Sequence, residues 1–151
     1  MNIQLTDGAT RVVLAPQRGG AVMLYQTRFE ERVYHWMVPG NPQQPSCFAM
    51  LPWCSRIRNG HFRFQGRSLQ LPANNAPEPH SIHGHGWQCP WRPVDVDTTS
   101  ALLEYEHTPD AWPWRYQARQ MIELRGQALA FTLSLENRSA QDMPAGMGLH
   151  P

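Results

Sequence analysis

The strongest pattern along the chain is the alternation of Leu129, Phe131, Leu133 and Leu135 with Ala130, Thr132, Ser134 and Glu136. A period of two with one apolar side predicts a half-buried strand. Arg125-Gly126 stands between this strand and the run 116–124, so the two segments predict a hairpin. Phe62 and Phe64 before Gln65-Gly66, with Leu69 and Leu71 after it, predict a second one. Further strands are expected at 11–15, 21–26, 33–37, 91–97 and 101–107. No stretch carries a sustained three-to-four-residue apolar period with caps, and the 14 Pro and 11 Gly recur from end to end, which suits short strands. Strands with one apolar face need another apolar face to cover them. The expected architecture is therefore all-β, with sheets packed face to face.

Composition narrows the chemistry more than the fold. At 151 residues and 41% hydrophobic content the chain can bury a core without disulfides or metal. All 13 cationic side chains are Arg, and lysine is absent. That excludes, within this chain, a Walker-type phosphate loop, a lysine Schiff base, a pyridoxal-phosphate anchor and a kinase strand lysine. A formal net charge of +1, with arginines scattered from Arg11 to Arg138, argues against nucleic acid as a partner. The amino-terminal residues lack a basic segment followed by an apolar run, and nothing approaches the roughly 18 uninterrupted apolar residues of a membrane span. A soluble, cytoplasmic protein without a membrane partner is expected. Cys47, Cys54 and Cys89 are odd in number and without CxxC spacing, so they are read as reduced and structural.

The stretch from Pro72 to Trp91 is too long for a simple turn, and long loops in compact β-proteins carry function. It holds His80, His83 and His85, two of them separated by a single glycine. In a strand-like segment His83 and His85 would face the same side, an arrangement that suits a metal. No further ligands stand nearby at metal-site spacing, so no metal is expected; a cupin-type metal enzyme using His80, His83 and His85 is the competing reading. Acid-base work is better supported, because imidazole titrates near neutral pH and the flanking glycines admit close approach of a ligand. Of Trp87, Trp91, Trp112 and Trp114, only Trp87 is expected to touch a ligand, the rest being packing residues. Glu30, Glu31, Asp95, Asp97, Glu104 and Glu106 are read as solvated faces rather than as a base.

Three segments in order carry a resemblance: Ser55-Arg56-Ile57-Arg58-Asn59-Gly60-His61-Phe62, then Ile82-His83-Gly84 after the Asn74-Asn75 pair, then Gly148-Leu149-His150-Pro151. As a set, from Val12 to Pro151, they resemble the aldose 1-epimerase (galactose mutarotase) family, in a bacterial His-Gly-His-Gly-Trp form. Ser55 departs from the usual Asn, and His85 from the usual second Gly. The resemblance implies a β-sandwich, the supersandwich of galactose mutarotase type, of which residues 1–151 would be the amino-terminal half. It implies interconversion of the α and β anomers of a free hexose with no cofactor. Carried over by position, Arg56 and His83 bind the sugar, His83 assists as acid, and His150 is the general acid. Trp87 is added as a substrate contact on its own residue chemistry. The family's glutamate base would lie beyond Pro151, so these residues alone are expected to be poorly active. Two alternatives stay open: a non-catalytic carbohydrate-binding or sensor sandwich, and a hexose-6-phosphate 1-epimerase drawing on Arg56, Arg58, Arg63 and Arg67.

Overall fold

A computed structural model describes residues 1–41 and 44–151. The alternating runs fold as antiparallel meanders. The first holds β1 (Ile3–Asp7), β2 (Thr10–Ala15), β3 (Ala21–Phe29) and β4 (Arg32–Met37) in sequential order. Five short strands follow: β5 (Phe48–Met50), β6 (Arg56–Ile57), β7 (His61–Phe64), β8 (Arg67–Gln70) and β9 (Ser81–Ile82). The second meander contains β10 (Arg92–Val96), β11 (Ser100–His107), β12 (Tyr116–Arg125) and β13 (Ala128–Asn137), and β14 (Gly148–His150) comes last.

Both predicted hairpins form. Arg125 pairs with Ala128 across Gly126-Gln127, and His61 pairs with Gln70 at the open end of β7–β8. Along β12 the side chains Tyr116, Ala118, Gln120, Ile122 and Leu124 are buried at every second position. Tyr116, Ala118, Ile122 and Leu124 share one apolar cluster with Leu5 of β1, Val12 and Leu14 of β2, and Ala101 and Leu103 of β11. Gln120 is the polar member of the β12 column, and its amide donates to Gly19 O at 2.9 Å, so its burial is compensated. The two meanders are tied at one end by Thr6 N–H to Thr98 O at 2.7 Å and Gly126 N–H to Asp7 Oδ2 at 2.5 Å.

Several expectations change. β1 is an addition to the expected strands, and only Ile3 and Leu5 alternate with Gln4 and Thr6 along it. The strand expected at 91–97 is shorter, because Trp91 leaves the ladder: its N–H bonds to Pro16 O at 2.8 Å and its indole is buried. The face of Leu129, Phe131, Leu133 and Leu135 is only partly covered, though it packs on the core. Glu104 is not a solvated residue. It is 7% exposed and lies in cross-strand register with Arg92 on β10 and Arg119 on β12, whose guanidiniums bond its two oxygens at 2.5 and 2.8 Å. Hydrogen bonding from Arg119 foremost, with that from Arg92, holds the carboxyl below its ordinary range despite burial. Trp112 and Trp114 are core residues, as their packing role required. Among the described residues no helix is long and apolar enough to cross a membrane.

Candidate functional site

Two short pairings gather residues that are distant in sequence. β14 runs antiparallel to β5, which places His150 opposite Phe48, and the two rings stack at 4.8 Å and 7°. β6 pairs with β9, placing Arg56 opposite Ile82, one residue before His83. His83 then meets His150 edge-on, ring centroids 5.1 Å apart at 71°. Trp87 stacks on Phe48 at 5.2 Å, and its indole N–H donates to Gly84 O at 3.0 Å. The three segments singled out in the sequence therefore converge on one aromatic-floored surface.

The backbone around His83 explains its orientation. His83 and Gly84 both occupy the left-handed region, φ +58° and +69°. At Gly84 a Cβ would fall 1.7 Å from Leu51 O, so only glycine lets the loop lie this close to the chain around Leu51. Asn74 holds the same turn from the other side. Its amide nitrogen donates to Ile82 O at 2.8 Å and Gly84 O at 2.7 Å, and its oxygen accepts from Ile82 N–H at 2.8 Å. Ser55 contributes backbone rather than side chain: its N–H donates to His83 Nδ1 at 3.1 Å, and its carbonyl accepts His83 N–H at 2.9 Å. With Nδ1 accepting, the proton of the neutral ring sits on Nε2. Burial first, then the positive charges of His150 and Arg56, keep His83 below the ordinary imidazole range.

The three loop histidines do not act together. Two successive left-handed residues break the strand alternation, so His85 does not share a face with His83. Its Nε2 meets Tyr116 Oη at 2.7 Å, and its ring lies 4.4 Å from His107. Burial, reinforced by His107, lowers His85 to about 4. His80 turns elsewhere again: Asn59 N–H donates to its Nδ1 at 3.1 Å, and its Nε2 lies 3.7 Å from Glu78. Among the described residues no group of three His, Cys, Asp or Glu side chains is placed to hold a metal ion.

Arg56 is half-exposed, with Nε 3.4 Å from Glu78 Oε2. Glu78 thus anchors Arg56 beside His80, a role the sequence did not reveal because nothing in its spacing couples residues 56 and 78. Phe48 was missed for a similar reason: it belongs to a three-residue strand that carries no period. All three cysteines are free thiols. The arrangement sets one guanidinium and two imidazoles beside a shared aromatic floor, groups able to donate hydrogen bonds to a polar ligand.

Comparison with known proteins identifies the family and the fold. The family model of aldose 1-epimerase matches residues 1–151. The uncharacterized protein YphB of Escherichia coli K12 is 36% identical over 106 residues, 70% of this chain and 36% of that protein. Protein YihR of the same organism is 27% identical over 124 residues, 78% of this chain and 40% of its own length. A crystal structure of an aldose 1-epimerase candidate from Escherichia coli K12 superposes with a TM-score of 0.87 at 29% identity, covering all of this chain and 51% of that one. A galactose mutarotase related enzyme from Lactobacillus acidophilus shares the fold at a TM-score of 0.82 and 17% identity, with 100% and 48% coverage. The chain thus spans about half the length of these solved relatives. With the whole of its described sequence matched and its histidine, arginine and aromatic residues converging on one surface, the chain belongs to the aldose 1-epimerase family.

Proposed function

We propose that this chain forms the sugar-binding and acid side of a mutarotase that interconverts the α and β anomers of a free hexose. The carrying observation is the edge-on His83–His150 pair over Phe48, with Ser55 N–H occupying His83 Nδ1. Mutarotation opens a pyranose: a base takes the proton of the anomeric hydroxyl, an acid gives one to the ring oxygen, and closure on the other face reverses both. Two adjacent imidazoles are not both charged at small cost. Burial first, then its charged neighbours, hold His83 toward neutrality, so it serves as an Nε2–H hydrogen-bond donor to a sugar oxygen, and His150, by its place in the family segment, is assigned the role of general acid. Arg56, steadied by Glu78, holds neighbouring hydroxyls with its fork of donors. Trp87 supplies a flat wall for the C–H face of the ring.

The base is a carboxylate supplied from outside these residues, which on this reading are one portion of a single β-sandwich. The three free thiols accord with a cytoplasmic setting. Anomer exchange is to be followed by polarimetry or NMR on the natural polypeptide that carries these residues, beside residues 1–151 alone. Exchange of glucose or galactose by the former, lowered roughly 10²- to 10⁴-fold by His150→Gln, is expected, with little exchange by the latter. Sugar binding without exchange in the natural polypeptide would replace this reading with a non-catalytic sugar binder.

A further inference from the structure

Trp87 has a second neighbourhood. Besides stacking on Phe48, it lines a groove of about 370 Å³ together with Gln17, Arg18, Gln44, Asn75 and Gln88. This volume is within the roughly 300–1,000 Å³ range of small-molecule clefts. The groove and the His83 surface share one scaffold: Asn74, whose side chain clamps the His83 turn, accepts Gln88 Nε2 at its carbonyl at 2.6 Å. Trp87 is the residue common to both, stacking on Phe48 of the His83 surface and lining the groove.

The lining states the ligand's chemistry. Four of the side chains are primary amides, which donate and accept, as hydroxyls do. Among the described residues lining the groove Arg18 is the one cation, and its Nη1 meets the weak acceptor Met23 Sδ at 3.9 Å, leaving its stronger donors suited to oxygen. A phosphate, which only accepts, would face one guanidinium and several amide oxygens; a sugar ring satisfies both kinds of group. The indole is the apolar face a pyranose needs.

We propose that this groove is a second saccharide subsite, so that the natural substrate is a reducing disaccharide or longer glycan. Its free anomeric carbon lies at His83 and His150, its first ring borders Trp87, and its next residue lies beyond Trp87 in the groove, against Gln17 and Arg18. This rests on the mutarotase reading above. The test compares kcat/KM for anomer exchange of maltose and lactose with that of glucose, galactose and glucose 6-phosphate, in the natural polypeptide and its Arg18→Ala and Gln17→Ala variants. The expected result is a disaccharide advantage of roughly tenfold that either variant reduces while monosaccharide exchange is unchanged. Monosaccharide exchange with no disaccharide advantage, or variants that lower both alike, overturns the subsite and leaves the mutarotase reading intact. An Arg18-dependent preference for the phosphorylated sugar overturns it in favour of a phosphate pocket. If no sugar is exchanged, the mutarotase reading fails. Titration with maltose then decides the subsite: binding weakened by Arg18→Ala supports it, and no binding overturns it.

Discussion

Histidines at positions 83, 85 and 150 show how far one residue type diverges with its surroundings. His83 and His150 meet at a surface, whereas His85 is packed among His107, Tyr105, Tyr116 and Trp53. Its lowered value has a consequence for stability. An unfolded His85 protonates as pH falls through 6.5, while in the folded chain it resists until about 4. Stability from this group is therefore full above pH 6.5 and is lost progressively between 6.5 and about 4, a total of about 3 kcal/mol. Urea denaturation midpoints over that range are expected to fall toward acid, and His85→Gln is expected to flatten the slope. Beside His83 the expectation concerns binding: if Arg56 donates to sugar hydroxyls as proposed, Arg56→Ala should raise KM roughly tenfold with a smaller change in kcat, read from initial-rate kinetics.

At the scale of elements, the site depends on strands too short to stand alone. β5 and β14 each have three residues, and β6 and β9 each have two. Their geometry comes from the turn at 82–84, clamped by Asn74 and pressed against Leu51. Asn74→Ala removes three hydrogen bonds and leaves the Ile82 N–H and carbonyl seeking partners, while Gly84 O keeps the Trp87 indole N–H, at a cost of about 1–3 kcal/mol for each group left buried and unpaired. Because the turn carries His83, this variant is expected to lose catalytic rate as well as thermal stability. Gly84→Ala meets both a backbone clash and a positive φ, so it is expected to be the more damaging. Thermal melts paired with kcat measurements would show the order; Gly84→Ala as stable and active as the parent would contradict the geometry.

Across the whole molecule, one buried residue links the meanders to the loop. Trp91 is 1% exposed, its N–H bonds to Pro16 O at 2.8 Å beside the first meander, and its indole N–H bonds to Gly86 O at 2.8 Å in the histidine loop. It also packs 5.7 Å from Tyr105 of β11. Trp91→Ala should cost about 3–5 kcal/mol, the range for removing a large buried aromatic, and disturb the site although Trp91 does not line it. Denaturant titration gives the first quantity and anomer exchange the second. The partly covered face of Leu129, Phe131, Leu133 and Leu135 contrasts with the fully buried column on neighbouring β12, so substitutions on β13 are expected to be the milder of the two.

How much of this was legible beforehand follows from the range of the forces involved. Alternation along a strand is a local property, so the two hairpins and most long strands could be read from residues two apart. Arg56, His83 and His150 could be picked out because each sits in a recognizable short segment, and the absence of lysine already left His, Arg, Cys and carboxylates as the candidate chemistry. What no local pattern contains is the meeting of those segments: the pairing of β14 with β5, the stacking of His150 on Phe48, and the anchoring of Arg56 by Glu78 are contacts across long stretches of chain. The same holds for Glu104, whose polar position suggested solvent until two arginines on adjacent strands enclosed it. The sequence by itself determined an all-β fold and the chemical types available to the site. Tertiary structure decided which histidine faces outward, because that depended on two left-handed residues, one of them a glycine pressed against a distant carbonyl.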